Sequence, residues 1–322
     1  MQIPLRVWNR YRMQIAVLAI FLLLYIVFFA INPFAFTNPY TYTSLMSIIP
    51  PTIIGALGLT FVIILGEIDL SFPSMMGLGA WANAVLWHAI GPHPVTIILA
   101  VAAGFLAGAL NGVIITRWRI PSFIATLGTM FFWKGVLLLL TQGFAIPLFM
   151  FRGSLLYNAL VGRVAGIPLQ MVWAIVTAVV LWVLLNRHRF GAHVYYVGDN
   201  RYAAEALGIS ASRVVISVFA LNGALSAFAG VLASLEVATY WPTIGDGYLL
   251  EAIAAVVLGG TLLTGGSGSL FGTFIGALTL GLIRMGVLSA GATGFWIPVM
   301  QGFVILASLI VQYSLRYKGL GG

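Results

Sequence analysis

The sequence predicts an all-α, polytopic integral membrane protein of about ten transmembrane helices with both termini cytoplasmic. Three observations carry that reading. Of the 322 residues, 61% are hydrophobic and 7% charged, whereas soluble chains carry about 25% charged residues. Apolar runs of roughly 20 residues, each long enough to cross a bilayer as a helix, recur along the chain, and the mean hydropathy is +1.07. The 37 glycines stand among Leu, Ile, Val and Phe, a pattern that suits close helix packing in lipid rather than disorder. Residues 1–322 read as a single transmembrane domain.

Composition also excludes. The net charge of +8 points to cytoplasmic loops of a membrane protein and to no nucleic-acid partner. With no cysteine, thiol chemistry, cysteine metal sites and disulfides fall away. The four histidines, His88, His93, His188 and His193, are scattered on both sides of the membrane without metal spacing, so no metal and no cofactor is expected. No GxxxxGK[ST] loop is present. The chain therefore does not hydrolyse ATP in the P-loop manner, no catalytic residue is assigned and no enzyme activity is expected.

Taken in order, Arg6, Arg10 and Arg12 precede a first, uncleaved span over residues 13–31 and hold the N-terminus inside. Residues 32–43, with two prolines, read as an external loop. A second span (46–65) closes on GEIDLS, a third covers 74–90, and GPHP forms an external turn. The fourth (95–116) ends at Arg117-Trp118-Arg119 inside, and the fifth runs over 122–141. Residues 142–168 form a longer external loop with room for an interfacial helix. The sixth (169–185), the seventh (214–235) and an external stretch with Trp241, Pro242 and Asp246 follow, with Tyr240 and Trp241 read as part of an interfacial aromatic belt or, as the alternative, of an external docking surface. An eighth span of 13 residues (251–263), short enough to be re-entrant or broken, leads into TGGSGS. The ninth (270–288) and tenth (295–315) precede Arg316 and Lys318. This topology puts eleven of the fifteen basic residues inside: Arg6, Arg10, Arg12, Arg117, Arg119, Arg187, Arg189, Arg201, Arg213, Arg316 and Lys318.

Residues 186–213 are unlike the rest. Six charged side chains, Arg187, Arg189, Asp199, Arg201, Glu205 and Arg213, lie here between long apolar stretches. Asp199 or Asn200 can cap a short helix, Arg201 and Glu205 are spaced to pair across one turn, and Gly208 is a natural stop. Ala203, Ala204 and Leu207 fall on one face of that helix, a small apolar surface that calls for a soluble partner on the cytoplasmic side.

Acids in the membrane are expensive, and they either line or gate a translocation path or cap helices. Glu67, Asp69 and Ser71 lie in GEIDLS, where Asp69 or Ser71 can cap the next helix at headgroup level, and Glu251 opens the eighth span. Gly259, Gly260, Gly265 and Gly266 bracket a polar turn, read either as close helix packing or as backbone exposed to a translocation path. Residues 65–80 and 258–277 both set a Gly/Ser-rich break between apolar runs. Such glycine-interrupted pairs point to a transport path.

Four ordered phrases, VIILGEIDLS, RIPSFIATLGTM, RFGAHVYYVGDNRYAAEALGIS and EAIAAVVLGGTLLTGGSGSLFGTFIGAL, make residues 49–315 resemble the permease subunits of bacterial ABC sugar importers. The branch is the one that handles ribose, xylose, arabinose and galactose-type sugars. The resemblance implies a multi-pass permease of the bacterial inner membrane working by alternating access. It also implies three partners: an ABC ATPase subunit, an extracytoplasmic substrate-binding protein and a second permease copy or paralogue. By the same resemblance, the loop containing Gly198, Asp199, Asn200, Arg201, Ala203, Ala204, Glu205, Leu207, Gly208 and Ile209 contacts the ATPase. The familiar GGIDLS followed by VGS appears here as GEIDLS followed by Phe72-Pro73-Ser74, which leaves the sugar open. Nucleoside or branched-chain amino-acid ABC permeases are alternatives, as is an ion-coupled secondary carrier.

Overall fold

The computed structural model describes the backbone of residues 3–317 and the side chains of residues 14–310. The side chains of Arg6, Arg10, Arg12, Arg316 and Lys318, on which the siding of the termini rests, lie outside the described residues.

Fifteen α-helices account for most of the described chain. The first, α1 (Ile3–Ile31), is followed by α2 (Pro33–Thr37) and α3 (Pro39–Ile48), so the expected external loop is largely helical. Each short helix starts on a proline behind an Asn cap: Asn32 Oδ1 accepts from Ala35 N and Asn38 Oδ1 from Tyr40 N. Between α3 and α4 (Pro50–Ile64) the axis bends by 47°. Pro50 and Pro51 carry no N–H for the preceding turn, which accounts for the bend. Then come α5 (Phe72–Ile90), α6 (Pro94–Trp118) and α7 (Ser122–Thr141). A small platform follows: β1 (Ile146–Pro147), a 3-10 turn at Phe149–Phe151, α8 (Leu155–Val161), β2 (Arg163–Val164) and β3 (Ile167–Pro168). The chain continues through α9 (Leu169–Arg187), α10 (Arg189–Asp199), α11 (Arg201–Ala206), α12 (Ala211–Glu236) and β4 (Thr239–Tyr240). It closes with α13 (Tyr248–Leu258), α14 (Leu270–Ser289) and α15 (Trp296–Tyr317). Strand β1 pairs with β4 and β2 with β3, both antiparallel.

Among the described residues six helices are each long and apolar enough to cross a bilayer, α1, α6, α7, α9, α12 and α14, with the bent α3–α4 pair as a seventh. Helix α13 has 11 residues and so extends about 16 Å, half of the roughly 30 Å hydrocarbon core. It is a broken element, reached through a non-helical stretch at residues 241–247.

Helix α12 is the axis of the bundle. Two-thirds of its apolar window is buried, as is that of α14, whereas α1 and α7 are 11% and 17% buried and lie at the rim. All fifteen residues of α4 are buried. The closest packing is α6 against α12, where Gly104, Gly108 and Gly112 form a one-sided stripe four residues apart. A Cβ on Gly112 would stand 2.5 Å from Ile216 Cα, and one on Gly108 would strike the Phe219 carbonyl. Small residues at such a spacing let two backbones touch in lipid, where apolar attraction between helices is absent.

The platform and the ends of α5, α7, α12 and α14 gather at one end of the bundle. There His88 Nε2 meets Pro147 O at 2.8 Å, Lys134 pairs with Asp246 at 2.7 Å, and Asn32 Nδ2 donates to Ser289 O. Tyr240 is fully buried on β4 and does not belong to an aromatic belt, because its strand is folded onto the platform. The other, basic end holds the segments that carry Arg117, Arg119, Arg187, Arg189, Arg201 and Arg213.

Gly108→Ala should cost about 1–3 kcal/mol by forcing apart a packed interface. Gly128→Ala, with nothing within 4 Å of the new Cβ, should be neutral. Thermal unfolding of the two variants in detergent checks the difference, and equal melting would contradict the packing account.

Candidate functional site

Residues 186–213 form two helices rather than one. His188 Nδ1 accepts from Phe190 N at the start of α10, whose Gly191, Val194 and Val197 are buried. The spacing of Phe190, Val194 and Val197 was the available signal, obscured by the glycines at both ends. Asn200 caps α11 by accepting from Ala203 N at 3.0 Å, Arg201 reaches Glu205 at 3.6 Å, and Gly208 ends the helix at φ +82°. One element of the expected face is corrected. Ala204 is 1% exposed and turned into the protein, while Ala203, Leu207 and Tyr202 point outward. Successive residues of a helix stand about 100° apart around its axis, so the adjacent Ala203 and Ala204 point to different sides.

The C-terminal end of α10 is clamped. Gly266 N donates to Ile64 O at 2.8 Å. Gly198 lies so near that carbonyl that a Cβ would overlap it, and a Cβ on Gly265 would stand 2.9 Å from both Gly198 O and Gly66 N. Asp199 lies beside Gly266, and Tyr195 Oη donates to Gly268 O at 2.9 Å. The glycine-rich breaks after α4 and α13 therefore meet each other and the end of α10 in one seam. Gly259 packs against Gly272 and Thr273 at the neighbouring turn of α14, so both it and the seam glycines serve close backbone approach. Gly260, at φ +82°, turns the chain there.

From this seam residues 66–71 run back into the bundle. Ile68 N donates to Ser122 Oγ and Leu70 N to Thr126 Oγ1, both 3.0 Å, so α7 supplies the partners that an unpaired backbone in lipid lacks. Asp69 ends up 1% exposed and opposite Asn222, midway along α12, rather than at headgroup level. Its Oδ1 accepts from Ser71 N at 2.8 Å and from Ser71 Oγ, and its Oδ2 from Asn222 Nδ2 at 2.8 Å. Asn111 Nδ2 in turn donates to Ser71 Oγ at 2.7 Å. Ser71 makes no side-chain cap on α5; its hydroxyl is spent on Asp69. A carboxylate surrounded only by donors, just ahead of a helix N-terminus, sits in the field that favours it. Glu67 is half-exposed and forms no ion pair among the described residues.

Towards the opposite end lies a cavity of about 530 Å³ between α3, α4, α13, α14 and α15. Glu251 is its charged centre. Arg284 Nη2 donates to Glu251 Oε1 at 2.8 Å and Thr52 Oγ1 to Glu251 Oε2 at 3.3 Å. Thr41, Ser44, Asp246, Tyr248, Ser289 and Gln301 add polar groups to a wall whose remainder is apolar, and Asp246 is neutralised by its pair with Lys134. Of the residues singled out as path or gate, Glu251 alone lines this cavity; Asp69 and Ser71 are buried in the bundle, Glu67 lies beside the seam, and the four glycines are in the turns described above. Thr52, Arg284, Asn111 and Asn222 were not singled out, although a lone cation or amide inside an apolar run is a signal of this kind. Among the described residues no cluster of His, Cys, Asp and Glu is arranged to hold a metal.

A family described as the permease component of branched-chain amino acid transport systems matches residues 41–311. The chain belongs to that permease family. It is 36% identical over 297 residues to the ribose import permease of Bacillus subtilis strain 168, covering 92% of this chain and 91% of that one. To the ribose import permease of Escherichia coli K12 it is 34% identical over 281 residues, 85% and 87% of the two chains. An autoinducer 2 import permease of Enterobacter sp. strain 638 is 35% identical over 302 residues, 94% and 86%. No solved structure matches. The permease is a multi-pass protein of the bacterial inner membrane.

In this permease Asn222→Ala would leave Asp69 Oδ2 without its donor in the middle of α12. The expected cost is about 2–3 kcal/mol, the scale of a lost bond to a buried charge. A melting temperature in detergent unchanged from the parent would refute the arrangement.

Proposed function

We propose that the permease is the membrane subunit of an ATP-driven importer for a sugar of the pentose or hexose class, with the basic end in the cytoplasm. Its relatives' names, ribose and autoinducer 2 import permeases, support the substrate class. An extracytoplasmic binding protein delivers the solute, a separate ABC ATPase supplies the energy, and a second permease copy or paralogue completes the pathway.

One observation carries the coupling scheme: the helices that meet the seam also line the cavity. Helix α4 has Ile64 at the seam and Thr52 at the cavity, and α14 runs from the turn holding Gly272 to Arg284. Helix α13 starts near the cavity at Glu251 and ends at Gly259 against α14. The ATPase grips the outward face of α10–α11, comprising Tyr202, Ala203 and Leu207 with the Arg201–Glu205 pair. Its movement is passed through Gly198, Asp199, Gly265 and Gly266 to the three helices, and the cavity opens to alternate sides. Gly208 and Ile209 return the chain to α12. The neutral Glu251–Arg284 pair suits an uncharged, hydroxyl-bearing solute, because it offers acceptors and donors without net charge. Weak contacts suffice, since affinity resides in the binding protein.

Uptake of radiolabelled ribose, other pentoses, hexoses, nucleosides and branched-chain amino acids decides the substrate class. The assay uses cells expressing the permease with the ATPase and binding protein encoded beside it. Sugar uptake lost on ATP depletion but insensitive to collapse of ion gradients is the expected result; ion-gradient-driven uptake without the ATPase would favour a secondary carrier instead.

Leu207→Glu, placing a charge on an exposed contact, should abolish uptake while membrane insertion and melting stay at parental levels. Normal uptake in that variant would end the docking assignment.

Glu251→Arg should lower uptake about tenfold or more, the scale of a lost charged hydrogen bond. The swap Glu251→Arg with Arg284→Glu should recover part of it. Failure of the swap alongside a folded single variant would show that the pair is not the functional unit.

A further inference from the structure

A second cavity, of about 590 Å³, opens at the basic end between α1, α9 and the start of α14. Its lining is amphipathic. Trp182 and Phe271 are 43% and 49% exposed and face outward at the rim of the bundle, whereas Gln14, Asn186, Arg187 and Ser269 add polar groups to the lining. Arg187 has no carboxylate partner among the described residues. Its guanidinium instead lies 5.8 Å from the centre of the Trp182 ring, a cation–π contact that holds the charge at the mouth of the cavity. Gln14, one of the lining residues, has a buried Oε1 that accepts no hydrogen bond from the described residues. The first turn of α14, whose dipole is positive at this end, opens onto the same space.

We propose that this cavity binds the headgroup of an anionic phospholipid, with phosphatidylglycerol as the type of ligand. The phosphate is held by Arg187, a headgroup hydroxyl donates to Gln14 Oε1, and the acyl chains run along Trp182 and Phe271. Charge complementarity decides for a lipid anion over a zwitterion, and the apolar half of the lining decides for a lipid over a free anion. Basic pockets between transmembrane helices near a membrane surface recognise headgroups in this way. The position has a consequence for regulation. Arg187 is the last residue of α9 and α10 begins two residues later, so a bound lipid fixes the root of the segment that carries the seam.

The test is a binding measurement that does not depend on transport. The full-length permease in detergent is titrated with phosphatidylglycerol, phosphatidylcholine or inorganic phosphate, and retained lipid is counted by native mass spectrometry. Phosphatidylglycerol should be retained in preference to phosphatidylcholine. Arg187→Gln should lower its retention about fivefold, equivalent to the roughly 1 kcal/mol that one basic side chain contributes at an anionic surface. Arg187→Lys should keep part of it, and Arg117→Gln, an exposed arginine elsewhere at the same end, should change nothing. Equal retention of the two lipids, or of phosphatidylglycerol by parent and Arg187→Gln protein, overturns the proposal. Displacement of the lipid by inorganic phosphate at matched concentration would overturn it in favour of a free-anion site.

Discussion

The carbonyl oxygen of Ile64 accepts the amide of Gly266, while Gly198 packs against the same atom. Much of the architecture depends on that crowded point. It is the last turn of α4, a helix with every residue buried, and it joins two breaks far apart in sequence to the end of α10. No side chain mediates the contact, so none can rotate to absorb a displacement. A substituent as small as a methyl group on Gly198 would have to push backbone against backbone, which close-packed interiors resist.

The second constraint is imposed by lipid. Backbone that is neither helix nor closed sheet is tolerated at membrane depth only where protein satisfies it. Residues 66–71 meet that condition through the hydroxyls of Ser122 and Thr126 and through Asp69 itself. The stretch at residues 241–247 comes from the opposite end to meet the first turn of α5, where Gly245 packs on the Pro73 carbonyl. Two irregular segments thus abut inside the bundle, and the helices α5 and α13 start from them. Asp69 is tolerated there because its hydrogen-bond partners are all donors and α5 begins beside it.

Membrane class, most helices and the polar segment were legible because they rest on composition and on long apolar runs. The span over residues 122–141 agrees with α7 to the residue. What escaped the sequence was depth and facing. GEIDLS looks like a surface turn, because two acids and a serine within five residues are ordinarily solvated; only Asn111 and Asn222, over 100 residues apart, reveal that it is buried. Ala203 and Ala204 are chemically the same, so nothing local tells which one turns inward. Arg284 has no carboxylate near it in sequence, and only the fold brings Glu251 of α13 to it. The weak likeness between residues 65–80 and 258–277 had a physical content after all, since the two breaks touch at Gly66 and Gly265.

The two ends of the bundle are built from different kinds of contact, and under the proposed cycle that difference assigns their mechanical roles. At the basic end glycine backbones touch directly, giving a stiff joint with little slack. At the opposite end the elements are tied by Glu251–Arg284 and Lys134–Asp246, partly exposed ion pairs of a kind that contributes about 1 kcal/mol or less. Such pairs break and re-form with other partners at little cost, including the hydroxyls of a passing solute. Helix α4 links the two, a lever of 15 residues and about 22 Å whose Pro50-Pro51 bend frees α3 to move separately from it. A displacement imposed at Gly198 therefore has one compliant place to appear, the cavity around Glu251, and a rigid one to start from. Stiffening the cavity end, rather than loosening the seam, is the change that would most directly uncouple engine from path.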